Sequence, residues 1–230
     1  MKVFMATPSY KGVTCIGFLD SLQETVTLFK ERGHESHWQT VEGCCYVQTA
    51  RNDLVFEFLK SDADVLLFLD DDVSWNAADA LKLVESNDDV IAGIYRLKTE
   101  QEGYPVVIRT NGQHRPLVRA DGCISAACVA TGFLKISRKC IEKMVANYPQ
   151  YKYAEYVDRE FIENKYDLFP QGVHGGRWVG EDFAFCRLWT QLLGEIWVMP
   201  DMDLTHHGAT EYKGNYHQFL LKQKGGSDDV

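Results

Sequence analysis

Three carboxylates, Asp70, Asp71 and Asp72, follow directly on the apolar run Val65-Leu66-Leu67-Phe68-Leu69. Carboxylates are hard oxygen donors, and two held together suit a divalent cation and, through it, the phosphates of a substrate. Asp70 and Asp72 are two residues apart, so in a locally extended segment their side chains share one side. The apolar run reads as a strand buried on both faces, and open α/β sheets bind ligands just beyond the carboxyl ends of such strands. An acidic turn solvated by water is the alternative that this spacing leaves open.

Two further segments carry compatible chemistry. In Gly180-Glu181-Asp182 the acidic pair opens a helix whose apolar face is Phe185, Leu188, Leu192 and Leu193. Free backbone N–H groups and the helix dipole favour negative charge there, which alone accounts for the residue types. The same environment predicts a carboxylate ionised at neutral pH, able to orient a hydroxyl or take its proton. The segment Asp203-Leu204-Thr205-His206-His207-Gly208 places two histidines side by side. On an extended chain they point to opposite sides, so one at most reaches a given ligand. A mixed set of carboxylate oxygens and one imidazole suits Mn²⁺, whereas an exposed pair without a role is the alternative.

These residues need a scaffold, and the apolar periodicity supplies it. A first strand at 2–6 is followed by a helix with Ile16, Leu19, Leu22, Val26 and Phe29 on one face, closed by Gly33. A strand over His34–Gln39, a helix carrying Val47, Ala50, Leu54, Phe58 and Leu59, and the Val65 strand come next. A short helix after Asn76 leads to a strand at Val90–Tyr95. This alternation predicts an α/β fold with a mixed, mostly parallel central sheet and helices on both faces.

After residue 105 short extended pieces are expected at Pro105–Arg109, Pro116–Arg119 and Ala126–Ile136, parted by turns at Asn111-Gly112 and Asp121-Gly122. A helix near 138–146 precedes an aromatic-rich stretch, 148–172, of little periodicity. Its tyrosines 148, 151, 153, 156 and 166 either form a lid or pack on the sheet. A helix at about 181–193 and strands at Glu195–Met199 and Asp203–His207 follow. One domain over 1–220 is expected, with 221–230 a disordered tail.

The chain has 230 residues, 45% hydrophobic and 25% charged, enough for a substantial core. Its net charge of −9 disfavours nucleic acid and anionic membrane surfaces, both of which bind through Lys and Arg. No apolar stretch is long enough to span a membrane, and Met1–Pro8 reads as a strand rather than a secretion signal. Seven cysteines without regular spacing predict a reducing compartment, the cytoplasm.

Taken together, the order strand–Asp-x-Asp, Gly-Glu-Asp opening a helix, and a strand ending His-x-Gly resembles the GT-A fold of nucleotide-sugar glycosyltransferases. The likeness spans roughly residues 2–215 and implies a nucleotide-binding half at about 1–100 and an acceptor-binding half at about 101–220. It extends to small phage, large-virus and bacterial glycosyltransferases, through Ala6-Thr7-Pro8, Ala50-Arg51-Asn52 and Gly93-Ile94-Tyr95. The resemblance implies a Rossmann-like sheet and a metal-dependent transfer from a nucleotide diphosphate sugar, a UDP-sugar by family habit, to a saccharide or other hydroxyl acceptor. It implies that Thr7, Pro8 and Ser9 line the nucleotide wall, that Arg51 lies near the base or diphosphate, and that Asp70 and Asp71 face the donor. Asp72 and His206, with Asp70 beside them, would hold Mn²⁺ or Mg²⁺. Asp182, or Glu181, would contact the acceptor or act as base, and Gly132, after Thr131, would line the sugar pocket. Arg96 and Lys98 either meet the donor or are solvated. A sugar-phosphate nucleotidyltransferase is the enzymatic alternative, disfavoured because the loop Thr7–Gly12 has one glycine and no arginine. A non-catalytic nucleotide- or carbohydrate-binding module is the other.

Overall fold

The computed structural model describes residues 1–157 and 159–225. Val3, Phe4, Met5 and Ala6 are buried in succession, so the first strand, β1 (Lys2–Ser9), has protein on both faces. Helix α1 (Ile16–Glu31) is capped by the Cys15 sulfur, which accepts from Phe18 N–H, and buries Phe18, Leu22 and Phe29. Then come β2 (Glu35–Glu42), α2 (Val47–Lys60), the wholly buried β3 (Val65–Leu69), a two-residue β4 (Val73–Ser74), α3 (Ala77–Glu85) and β5 (Val90–Gly93). The second half holds β6 (Val106–Ile108), β7 (Ile124–Val129), β8 (Phe133–Ser137) and α4 (Arg138–Asn147). A 3₁₀ turn at Pro149–Tyr151 leads to β9 (Lys152–Val157), β10 (Glu160–Tyr166), β11 (Gly172–His174) and β12 (Arg177–Val179). The chain closes with α5 (Glu181–Gln191), β13 (Ile196–Met199), β14 (Asp203–His207), β15 (Glu211–Asn215) and α6 (Tyr216–Gly225).

Eight strands form the central sheet in the order β2-β1-β3-β8-β5-β13-β7-β6. All run in one direction except β8 and β7, which makes the sheet mixed; three neighbouring pairs are parallel and four antiparallel. Side chains alternate across it. Phe4, Leu66 and Phe68 pack with Leu54, Phe58, Phe185 and Trp189 on one face, while Met5, Leu67 and Leu69 meet Phe18, Phe29 and Leu83 on the other. The expected α/β class, with helices on both faces, is what the core shows.

Several local expectations change. Ile94 and Tyr95 lie beyond β5, and Pro116–Arg119 makes only isolated bridges, Thr110 to Pro116 and Val118 to Ile124. The stretch expected as one strand at 126–136 is two, because the chain leaves β7 at Ala130–Gly132 and re-enters the sheet as β8, running in the same direction on the far side of β13 and β5. The 148–172 stretch is not aperiodic, since β9 and β10 form an antiparallel hairpin. Tyr148 is buried and donates its hydroxyl to Leu188 O at 2.7 Å, and Tyr151 and Tyr166 pack against the same core. Tyr156 alone of the five is well exposed, on the hairpin beside Phe161 with ring centroids 5.0 Å apart. The tail expected from 221 begins inside helix α6, which runs to Gly225; residues 226–230 lie outside the described residues. Among the described residues no helix is long and apolar enough to cross a membrane.

Three consecutive α2 residues tie the two halves together. Arg51 reaches the end of β3, as described below. The Asn52 amide donates to Asp167 Oδ1 at 2.7 Å and its oxygen accepts from the N–H groups of Leu168 and Phe169 at 3.0 and 3.1 Å. Asp53 pairs with Lys165, which also pairs with Glu155 across the hairpin. Removing the Asn52 side chain leaves two buried N–H groups unsatisfied, at roughly 1–3 kcal/mol each. Asn52→Ala is therefore expected to lower unfolding stability by about 2–4 kcal/mol, read from the urea midpoint, whereas a change under about 0.5 kcal/mol would contradict this role.

Candidate active site

At Leu69 the central strand ends and the chain turns at once. The Asp70 carbonyl accepts from Val73 N–H at 3.1 Å, and β4 begins. The extended Asp70–Asp72 geometry expected from sequence is thus replaced by a tight turn, and the two carboxylates take different partners. The turn exists because β4 must run back to pair with β14, which sets His206 opposite Val73 and Thr205 opposite Ser74. The His207 N–H also donates to Asp72 O at 2.7 Å. Residues more than 130 positions apart in sequence are joined by this small three-stranded sheet, β15-β14-β4.

Asp70 turns inward. Its N–H donates to Gly132 O at 3.0 Å and its carboxylate accepts from Arg51 Nη2 at 3.1 Å. Arg51 is 4% exposed, and its Nε lies 3.5 Å from Glu181 Oε1, so one guanidinium joins the end of β3 to the start of α5. Nε and Nη1 are buried without a hydrogen-bond partner in the protein. A Cβ at Gly132 would stand 2.7 Å from the Tyr95 hydroxyl and closer still to Asp70 Oδ2, so no side chain fits there. Gly132 therefore leaves room for Asp70 and Tyr95.

Asp71 points back to the first strand. Its Oδ2 accepts from Ser9 Oγ at 2.6 Å and its carbonyl accepts from Thr14 Oγ1 at 2.5 Å. Burial pushes its carboxyl up despite the Ser9 hydrogen bond. Thr7 is buried and its Oγ1 accepts from Trp38 Nε1 at 3.0 Å, with Pro8 half-buried and Ser9 buried beside it. These residues lie together at the end of β1, beside Asp71.

Asp72 faces β14. Its Oδ1 lies 3.4 Å from His206 Nε2 and its Oδ2 accepts from Lys98 Nζ. Burial pushes its carboxyl up, but hydrogen bonds from His206 and Lys98 prevail and hold it below the usual carboxylate range. His206 Nδ1 is 2.9 Å from the Arg96 carbonyl, which can only accept, so Nδ1 carries a proton, and Nε2 is the ring atom that faces Asp72. Tyr95 packs edge-on to this imidazole at 4.8 Å between centroids. His207 turns the opposite way, 2.8 Å from Ser74 Oγ and over Gly17, as the alternation of the strand requires.

Glu181 and Asp182 open α5 as expected, with Gly180 as the cap residue. Asp182 Oδ1 accepts from Phe183 N–H at 2.7 Å. Its carboxyl is nonetheless pushed up to about 6, by burial and by the neighbouring Glu181 charge, against the Phe183 N–H and Arg51. The helix terminus does not hold it in the ordinary range, because desolvation outweighs the dipole.

Among the described residues no three His, Cys, Asp or Glu side chains converge as a metal site. The expected trio of Asp70, Asp72 and His206 is reduced to a pair, since Asp70 is committed to Arg51. One carboxylate oxygen facing one imidazole nitrogen would still fit a divalent ion that took its remaining ligands from water and substrate phosphates. The sequence leaves Lys98 either meeting the donor or solvated, and nothing in the 26 positions separating it from Asp72 signals their pairing. Tyr95 stood in a recognised motif without a role; its place between Gly132 and His206 is visible only in three dimensions.

No protein-family model matches the chain, and no curated protein matches it. Several solved structures are similar. A glycosyltransferase involved in the glycosylation of the major capsid of PBCV-1 aligns at 12% identity and a TM-score of 0.36, over 64% of this chain and 66% of that one. The 4-diphosphocytidyl-2C-methyl-D-erythritol synthase of Anaerococcus prevotii aligns at 13% and 0.35, over 83% and 99%. S. aureus TarS 1–349 aligns at 13% and 0.44, over 86% of this chain and 58% of that one. The chain thus spans less than two thirds of the first and third of these.

The raised Asp182 carboxyl has a stability consequence. A folded-state value of about 6 exceeds the ordinary carboxylate value of about 4, so the folded state binds this proton more tightly and loses stability as pH rises between the two. Asp182→Asn cannot ionise. Its melting temperature should gain on that of the wild type between pH 4 and 7, and a pH-independent difference would contradict the burial described here.

Proposed function

We propose that this chain is a metal-dependent glycosyltransferase that moves a sugar from a nucleotide diphosphate sugar, a UDP-sugar, to the hydroxyl of a saccharide or similar acceptor. The observation that carries this reading is the meeting of Asp72 with His206 Nε2 where the central strand ends, beside the buried Arg51 that joins Asp70 to Glu181 at the start of the helix carrying Asp182. The UDP preference rests on the sequence resemblance alone.

Asp72 Oδ1 and His206 Nε2 would hold Mn²⁺ or Mg²⁺. Bound there, the ion would supply Lewis-acid stabilisation to the departing diphosphate, whose negative charge grows in the transition state. The Arg96 carbonyl keeps the proton on His206 Nδ1 and so keeps Nε2 available. Arg51 pairs with both Asp70 and Glu181, so the carboxylates at the end of β3 and the start of α5 share one buried cation. Asp182 has Oδ1 engaged by Phe183 N–H, leaving Oδ2 to take the acceptor's proton. Its value of about 6 leaves it mostly ionised at neutral pH while still a competent base. All seven cysteines are free, which supports a reducing compartment, the cytoplasm, as the place of action.

A screen of nucleotide sugars for Mn²⁺-dependent hydrolysis and transfer tests the reading, and no turnover or binding of any donor with either metal would refute it. Asp72→Ala should abolish calorimetric binding of UDP with Mn²⁺, and His206→Ala should weaken it more than His207→Ala; the reverse order for the histidines would reject the ligand assignment. Asp182→Asn should keep donor binding and lower transfer about 10²–10⁴-fold. Wild-type kcat should rise with pH through about 6, as this carboxyl ionises, and full activity in the Asn variant would remove Asp182 from the reaction.

A further inference from the structure

Asp72 already has a cationic partner in the protein. Lys98 Nζ donates to Oδ2 of the carboxylate whose Oδ1 faces His206. This lysine is not a loosely placed surface base. Its stem passes over Gly208, where a Cβ would come within 3.1 Å of Lys98 Cδ, so the glycine of His-x-Gly makes room for it. Its loop is braced from within. Arg96 donates to the carbonyls of Thr99 and Glu100 at 3.2 and 2.9 Å, and Leu97 N–H donates to Gly103 O at 2.8 Å. The Arg96 carbonyl of the same loop accepts from His206 Nδ1. One loop therefore prepares the imidazole for a cation and sets an ammonium on the carboxylate that the cation needs.

We propose that Lys98 is a built-in counter-cation that a divalent ion must displace from Asp72. This rests on the reading of Asp72 and His206 as the ion's ligands. With the ion absent, the ammonium neutralises Asp72 at a partly buried position, where an unpaired carboxylate is costly. An entering ion competes with that ammonium for the same carboxylate, so free-ion affinity is held down by the strength of the Lys98–Asp72 pair. The lysine side chain, long and flexible, can leave without moving the loop backbone, and its charge is then free for the phosphates of the donor. The site is thereby biased against idle metal and toward metal that arrives with a diphosphate.

The test is a titration of Mn²⁺ alone, followed by the loss of the free-ion electron paramagnetic resonance signal, with wild type, Lys98→Met, Lys98→Arg and Asp72→Ala. Methionine keeps the stem over Gly208 and removes the charge. Lys98→Met is expected to tighten Mn²⁺ binding by about tenfold, Lys98→Arg to restore the weak wild-type affinity, and Asp72→Ala to abolish binding at this site. Equal affinity in wild type and Lys98→Met, with Asp72→Ala lacking the ion, would overturn the counter-cation role while leaving the ligand pair intact. Binding undiminished in Asp72→Ala, or no binding in any variant, would overturn the ligand assignment and this proposal with it. Far-ultraviolet circular dichroism and the thermal midpoint of Lys98→Met verify that the variant compared is folded.

Discussion

A single guanidinium, sealed from water, stands between the end of the central strand and the start of α5. Arg51 is held by Asp70 on one side and Glu181 on the other. Buried charge survives only when it is paired, and each member of this trio is tolerable because the others are present. The arrangement also sets the chemistry next door. Asp182 feels the Glu181 and Asp70 charges as repulsion and Arg51 as attraction, and with burial the balance leaves its carboxyl near 6. The site is thus an electrostatic compromise in which one cation keeps several carboxylates together and one of them near its protonation point.

A second constraint is backbone geometry. The antiparallel step of β4 beside β14 forces the tight turn at Asp70–Val73 and thereby divides the three aspartates. Asp70 goes to Arg51, Asp71 to Ser9, and Asp72 to His206 and Lys98. Each carboxylate anchors a different wall: the helix α2 floor, the end of β1, and the β14 strand. The loop after β5 adds the fourth wall through the Arg96 carbonyl, which selects the histidine tautomer, and Lys98. Close approach is permitted by three residues without side chains, Gly17 under His207, Gly132 beside Asp70 and Gly208 under Lys98.

Helix α2 links this chemistry to the rest of the fold. Its residues 51, 52 and 53 serve the site, the 167–169 segment and the β9–β10 hairpin in turn. That hairpin and its tyrosines, which sequence left open between lid and core, belong mostly to the core. Four of the five rings are buried or half-buried, because the stretch spans the face of the sheet covered by α2, α4 and α5.

What the sequence by itself determined is the part governed by periodicity and local chemistry. The alternation of strands and helices through Val90, the burial of Val65–Leu69, the acidic opening of α5 and the opposed directions of His206 and His207 all follow from the 2.0 and 3.6 repeats and from helix-end electrostatics. Thr7, Arg51, Asp72, Gly132, His206 and Asp182 were nameable from motif order. Tertiary structure alone decided which of them meet. The turn that separates Asp70 from Asp72 depends on β14 more than 130 residues later, the upward shift of Asp182 depends on burial by distant elements, and the Lys98 ammonium reaches Asp72 from another loop. Such pairings depend on how strands stack and where water is excluded, and neither quantity has a period along the chain.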